Sequence, residues 1–160
     1  MLEVTFACVG SLKERFWREA VQEYQKRLQR YCRFQCVEID EVRLPQNPSQ
    51  KEIDAALDAE GEALLHKLPR GCQLIALCVE GKEMDSVALS EMIEDAKITR
   101  GSSIAFVIGS SYGLSQQVKQ AAKLRLSVSQ MTFPHQLMRV MLCEQIYRAF
   151  KIAAGEKYHK

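Results

Sequence analysis

Ser103-Ile104-Ala105-Phe106-Val107-Ile108-Gly109-Ser110-Ser111-Tyr112-Gly113-Leu114-Ser115 is the stretch that decides the fold. Its first six residues are almost wholly apolar, as in a strand covered on both faces rather than one alternating between core and water. A turn rich in glycine and serine follows, and Ser115 then opens a helical pattern. The segment therefore reads as strand, loop and helix, the repeating unit of a parallel α/β sheet. Working outward, the same alternation fills the chain. Strands are expected at 4–9, 34–39, 73–79, 103–108 and 125–127. Helices are expected at 14–31, after Pro45-Gln46-Asn47-Pro48, from Asp85 or Ser86 to before Gly101, from about Ser115, and over 135–153 with Gly155 as the stop. Ser49 and Glu52 have the spacing of a capping box for the second helix. In the first, Phe16, Ala20, Tyr24, Leu28 and Tyr31 form the expected apolar stripe.

A chain of 160 residues, 47% hydrophobic, suits one domain over residues 1–160 that needs no metal or disulfide to hold it together. Its net charge of +2 does not announce a nucleic-acid binder, so any such surface must be a patch. Met1-Leu2-Glu3-Val4-Thr5-Phe6 lacks a basic leader, and no long apolar run is present, so no membrane segment is expected. The six cysteines, 8, 32, 36, 72, 78 and 143, form no CxxC pair. They read as buried reduced thiols, which points to a cytoplasmic protein without a metal site.

Neither GxGxxG nor GxxxxGK[ST] occurs, so the loops after the strands are not built to cradle a polyphosphate. Two of them stand out. One is the loop at Ile108-Gly109; the other is Met131-Thr132-Phe133-Pro134-His135, entering the last helix. With the run Cys143-Glu144-Gln145-Ile146-Tyr147-Arg148-Ala149 and the terminal Tyr158-His159, they resemble the RlmH family of bacterial SPOUT methyltransferases along the whole chain.

That resemblance implies an α/β fold: a mainly parallel sheet with flanking helices and a C-terminal trefoil knot, which periodicity alone does not suggest. It implies a homodimer that uses S-adenosyl-L-methionine to methylate N3 of a pseudouridine in helix 69 of 23S ribosomal RNA, within the ribosome. It places the cofactor on Leu77, Gly109, Val128, Ser129, Gln130, Met131, Thr132 and Phe133. Tyr158, His159 and Arg139 become the expected catalytic group, with His159 the candidate base. Arg148, Lys157, Lys160, Tyr112 and His135 are expected to meet the RNA. Basic residues of the first helix, Arg15, Arg18, Lys26, Arg27 and Arg30, would extend that surface together with Lys151.

Plain structural alternatives stand beside these roles. Leu77, Met131 and Phe133 suit a core, Gly109 suits a turn at positive φ, His135 suits packing at a helix start, and His66 suits solvated surface. Leu137, Val140, Met141 and Ile146 exceed one apolar stripe and suggest a face for a second subunit. Ser110-Ser111-Tyr112 departs from the family, in which many members carry a second glycine and then a proline or small residue. If positive φ were required there, serine would cost about 1 kcal/mol. A SPOUT enzyme acting on another RNA, such as tRNA, or a silent ribosome-binding module therefore stays open.

Overall fold

The computed structural model describes residues 1–99 and 103–160. Strands and helices alternate as β1 (Glu3–Val9), α1 (Arg15–Leu28), β2 (Arg33–Ile39), α2 (Gln50–Lys67), β3 (Gln73–Glu83), α3 (Ser86–Ile98), β4 (Ser103–Ile108), α4 (Gln116–Ala121), β5 (Leu124–Ser127) and α5 (His135–Ala153). All pairings are parallel and the sheet order is β2-β1-β4-β3-β5.

Strand order and chain direction together dictate the layers. The connections from β1 to β2 and from β3 to β4 step one way across the sheet; those from β2 to β3 and from β4 to β5 step the other way. Right-handed crossovers must then put α1 and α3 on one face and α2 and α4 on the opposite face. The two cores obey this. Phe6, Ile75, Ile104 and Phe106 meet Val21, Leu28, Leu89 and Ile93 on the first face, where α5 adds Leu142, Ile146 and Phe150. Ala7, Ala76, Ala105 and Val107 meet Leu64, Leu114 and Val118 on the other. Successive residues of β4 alternate between these cores, which is why the strand is apolar from Ile104 to Ile108.

Caps set most of the helix starts. Ser49 and Glu52 form the expected capping box, Asp85 accepts from the Ala88 amide at 2.7 Å, and Ser115 accepts from the Val118 amide at 3.2 Å. Three details depart from expectation. Helix α1 ends at Leu28, whose carbonyl accepts from the amides of Tyr31 at 2.9 Å and Cys32 at 3.0 Å. Tyr24, Leu28 and Tyr31 of the expected stripe pack on the core, but Trp17 and Val21 lead into it and Phe16 is 61% exposed. Strand β3 continues past Val79, since a shift of register between Leu77 and Lys82 lets it follow β5 further. Gly81 permits that bulge: a Cβ there would lie 2.7 Å from the Arg125 backbone. Gly101, expected to stop α3, lies outside the described residues, and α3 ends at Ile98.

Cys8, Cys32, Cys78 and Cys143 are buried thiols and Cys72 is partly so, but Cys36 is exposed on the edge strand β2, against expectation. Among the described residues no helix is long and apolar enough to cross a membrane.

Phe150 is fully enclosed and stacks on Tyr31 with ring centroids 5.9 Å apart. Phe150→Ala should lower the free energy of unfolding in urea by about 3–5 kcal/mol. Phe16→Ala should cost far less, and similar losses for the two would contradict the exposure of Phe16.

Candidate cofactor cavity and its neighbours

Parallel strands end their ladders together, so the loops beyond their carboxyl ends carry backbone groups free to meet a ligand. Here the ends of β4 and β5 and the bulge of β3 after Leu77, where its ladder on β4 has stopped, surround a cavity of about 700 Å³. Leu77, Gly109, Val128, Ser129, Met131, Thr132 and Phe133 all line it, with Ile108, Leu126 and Met138 as further apolar wall. Gln130, expected with them, is exposed and does not line the cavity. The volume falls within the range of small-molecule sites, and the lining is largely apolar with a few serine, threonine and backbone groups. Lys119 and Glu80, the charged side chains of the rim, pair with each other at 2.6 Å, leaving no cationic cluster for a polyphosphate.

The loop after β4 closes on itself. The Gly113 amide donates to the Ser110 carbonyl at 2.8 Å, and Gly113 takes the turn's positive φ of 92°. Ser110, Ser111 and Tyr112 all keep negative φ, so the departure from the family pattern carries no backbone strain. Gly109 also lacks positive φ. Its reason is steric: a Cβ there would collide with the Gly113 carbonyl and lie 3.1 Å from Leu114 Cδ2. The glycine thus serves the closure of its own loop. After β5 the Ser127 hydroxyl donates to the Ser129 carbonyl at 3.0 Å, and the Met131 amide donates to Ser129 Oγ at 3.0 Å. This tight turn leaves the Met131 side chain 71% exposed at the cavity mouth.

A group the sequence reading missed stands behind this wall. Glu60 of α2 is 4% exposed; its carboxylate accepts from the Ser110 hydroxyl at 3.3 Å and from the Val42 amide at 2.9 Å. Burial pushes its carboxyl above the ordinary range, and the two hydrogen bonds oppose that only in part. A glutamate within a helix gives no sign of this in sequence. The neighbouring Gly61 is a better clue, because a Cβ there would strike the Ser115 side chain where α2 approaches α4.

Arg139 is corrected by the fold. It was expected at the reacting base, yet it is 3% exposed and its guanidinium holds the end of β1. It donates to the carbonyls of Val9 at 3.1 Å and Gly10 at 2.7 Å, and to Glu38 at 3.0 Å. A cation so enclosed by its own chain positions a loop and is not free to grip a substrate. Ile146 is likewise fully buried in its own subunit, whereas Leu137, Val140 and Met141 are half-buried.

The tail lies back along α5. Tyr158 donates to Glu144 at 3.1 Å, its ring meets Tyr147 edge-on at 5.1 Å, and the Arg148 guanidinium lies 4.7 Å from its centroid. Arg148 is paired with Glu144 at 2.7 Å and lies 3.4 Å from His159 Nδ1. Lys151 pairs with Glu156, so Lys157 and Lys160 are the exposed cations of this end. On α1, Arg15 and Arg27 pair with Glu19 and Glu23, and Arg18 donates to the Leu12 and Lys13 carbonyls. The tail does not line the cofactor cavity of its own chain. His159 instead lines a neighbouring one that shares the wall Leu126, Ser127 and Val128. Tyr112 and His135 do reach the cofactor cavity, from opposite loops.

An all-parallel sheet with a cavity at the ends of its last three strands, and without phosphate loops, is the framework of a SPOUT methyltransferase. The chain belongs to that family: the model described as "Predicted SPOUT methyltransferase" matches residues 2–159. Within it, the chain belongs with the ribosomal RNA large subunit methyltransferase H proteins. It is 46% identical to the one from Clostridium botulinum (strain Loch Maree / Type A3) over 159 residues, 99% of this chain and 100% of that protein. It is 45% identical, with the same coverage, to that of strain Okra / Type B1. Among solved structures, "a probable methylase family protein from Haemophilus influenzae Rd KW20" matches all of this chain and 72% of its own with a TM-score of 0.59. At 11% identity, that match speaks for the fold alone.

Two substitutions test the loop behind the cavity. Gly109→Ala should cost about 1–3 kcal/mol, because the added methyl must part Gly109 from Gly113; unchanged stability in denaturant titration would contradict that contact. Glu60→Gln keeps an acceptor for Val42 and a partner for Ser110 while removing a buried charge. A carboxyl raised by burial favours folding when protonated, and that contribution is lost as pH rises through its folded pKa. Glu60→Gln should therefore gain stability over the parent above the ordinary carboxylate range and lose that advantage in acid. The same gain at every pH would rule out the titration of Glu60 as its source.

Proposed function

We propose that this protein transfers the methyl group of S-adenosyl-L-methionine to N3 of a pseudouridine in helix 69 of 23S ribosomal RNA, on the assembled ribosome, as a cytoplasmic homodimer. The observation that carries the reading is the cavity at the ends of β3, β4 and β5, lined by seven of the eight residues expected to hold the cofactor. Its apolar walls and missing phosphate loop suit an adenosine joined to a short sulfonium-bearing chain rather than a nucleoside triphosphate. Gln130 belongs to the same turn but lies outside the cavity lining. The relatives' name, ribosomal RNA large subunit methyltransferase H, supports the RNA and the subunit. Ser110 and Ser111 sit without strain, which removes the motive for a silent module. A trefoil knot agrees with the path of α5, which leaves β5 at one edge of the sheet and returns to pack on α1 and α3.

The bound cofactor supplies an electrophilic methyl group on a sulfonium. The protein's share is alignment and exclusion of water. Leu77, Leu126, Phe133 and Met138 shape the apolar wall, while Ser127, Ser129 and Thr132 with the loop backbone hold polar edges. Arg139 fixes the β1 end from inside. Tyr158, His159, Lys157 and Lys160, with Arg148 behind them, grip the RNA. In the dimer the half-buried Leu137, Val140 and Met141 lie at the partner's face and the tail serves the partner's cavity.

Calorimetric titration with S-adenosyl-L-methionine should show one site per chain. Ribosomes lacking the modification, incubated with protein and labelled cofactor, should gain one methyl group, located by nuclease digestion and mass spectrometry. Absence of cofactor heat, or label in another nucleoside, would overturn the reading.

Removing Tyr158, His159 and Lys160 should leave cofactor affinity nearly intact and lower methyl transfer by about 10²-fold or more. Mixing that truncated chain with a cofactor-dead variant should restore part of the activity. Verified heterodimers that stay inactive would assign the tail to its own chain.

A further inference from the structure

A second cavity, of about 820 Å³, opens over the ends of β1 and β2. Among the described residues, Tyr112 and His135 alone line both it and the cofactor cavity. We infer that this second cavity receives the acceptor nucleotide, with its phosphate against Lys13 and Arg43, and that His135 takes the proton from the imide nitrogen of its base. This rests on the methyl-transfer reading above.

The two cavities differ in chemistry in the way two substrates would require. The first is walled by aliphatic and aromatic side chains. The second collects Lys13, Glu14, Asp40, Glu41 and Arg43 around the exposed backbone of two strand ends. Neither Lys13 nor Arg43 makes an ion pair among the described residues, so both cations are available to a phosphate. The carboxylates of the same cavity can accept from the N–H groups that a uracil-like base presents. Tyr112, half-exposed at the partition, offers a face on which a base can stack.

His135 stands where a proton acceptor has to be. It is the first residue of α5, half-buried, and makes no hydrogen bond with the described residues. Burial, and then the Arg139 guanidinium one turn along α5, hold its imidazole below the usual range, while Glu41 from the β2–α2 loop opposes them. The other groups of the second cavity are Lys13 and Glu14 before α1, Asp40 and Arg43 beside Glu41, and Tyr112 after β4. The positive end of α5 also disfavours an imidazolium. The ring is thus neutral near pH 7 and able to accept. Its frame is stiff, since Glu60 ties Val42 in the second cavity's wall to Ser110 in the first.

The step balances without a further reactant. The imide N–H bond breaks, its proton moves to a neutral ring nitrogen of His135, and the nitrogen's electron pair forms the bond to the methyl carbon. The sulfur keeps the pair of the broken carbon–sulfur bond and leaves as a neutral thioether; the imidazolium then releases its proton to water. His159 lies beside Arg148 in the third cavity and is absent from this partition, which leaves it to hold the RNA.

The test uses the full-length protein labelled at histidine, with His135→Gln to assign the ring signal. In NMR titrations His135 should titrate below the free imidazole value. Its signal should move on addition of pseudouridine 5′-monophosphate, and lose most of that response when Lys13 and Arg43 are both alanine. On unmodified ribosomes the parent's kcat/KM should rise tenfold per pH unit up to the His135 pKa and then level. His135→Gln should bind S-adenosyl-L-methionine with parental affinity, lose that acid limb and be slower by about 10²-fold, whereas His159→Gln should keep the limb. A limb that survives in His135→Gln, or a nucleotide that leaves the His135 signal in place, overturns the inference while the methyl-transfer reading stands. Failure of the parent protein to bind cofactor or methylate ribosomes would overturn that reading itself.

Discussion

Burial of β4 on both faces is the constraint from which the rest of the structure follows. Its residues alternate between two cores, one under α1, α3 and α5 and the other under α2 and α4. Apart from Ser103 at its start, a strand buried in this way has no polar side chain with which to bind anything, so chemistry is displaced to its carboxyl end. There the ladder stops, Gly109 lets the chain fold sharply back, and the backbone groups of the Ser110 to Gly113 turn face a cavity. The neighbouring strand β1 ends at the same level, and the ladder of β3 on β4 stops at Ala76, beyond which β3 bulges and follows β5.

Two buried charges then hold loops that apolar packing cannot. Arg139 reaches from α5 to the carbonyls that end β1, and Glu60 reaches from α2 to both the β2–α2 loop and the β4–α4 loop. Each lies in the interior with partners for most of its polar atoms, as an enclosed charge requires. Their removal would leave orphaned backbone and hydroxyl groups next to the cavities, so both act on the site through the frame around it. The basic character of the chain is tempered in the same manner. Arg15, Arg27, Arg148 and Lys151 are engaged with carboxylates on their own or the adjoining turn, leaving Lys157, Lys160, Lys13 and Arg43 more open to an anion.

Much of this was readable in the residues. The apolar runs of β3 and β4, the Ser49-to-Glu52 cap and the loops after β4 and β5 follow from local rules: period, capping chemistry and turn residues. Seven of the eight residues that the resemblance assigns to a cofactor line one cavity. The misreadings share one cause. Tyr24, Leu28 and Tyr31 of the expected stripe of α1 meet the core, but Phe16 falls outside it and Val21 takes an inward place. Arg139 was expected at the reacting base, although its helix face turns inward onto β1. Glu60 drew no reading at all, because nothing local marks which face of α2 turns inward.

The sequence by itself determined the alternation of elements, the two-sided burial of the central strands and the kind of ligand the loops could hold, because each depends on residues close together along the chain. The tertiary structure decided the rest. Which face of each helix meets the sheet, which glycine closes a loop and which opens one, and how Tyr112 and His135 come to share a partition depend on the packing of segments far apart in sequence. Side-chain periodicity carries the spacing of a helix's faces but not the absolute angle at which another element receives them, and that angle is set only when both cores are filled at once.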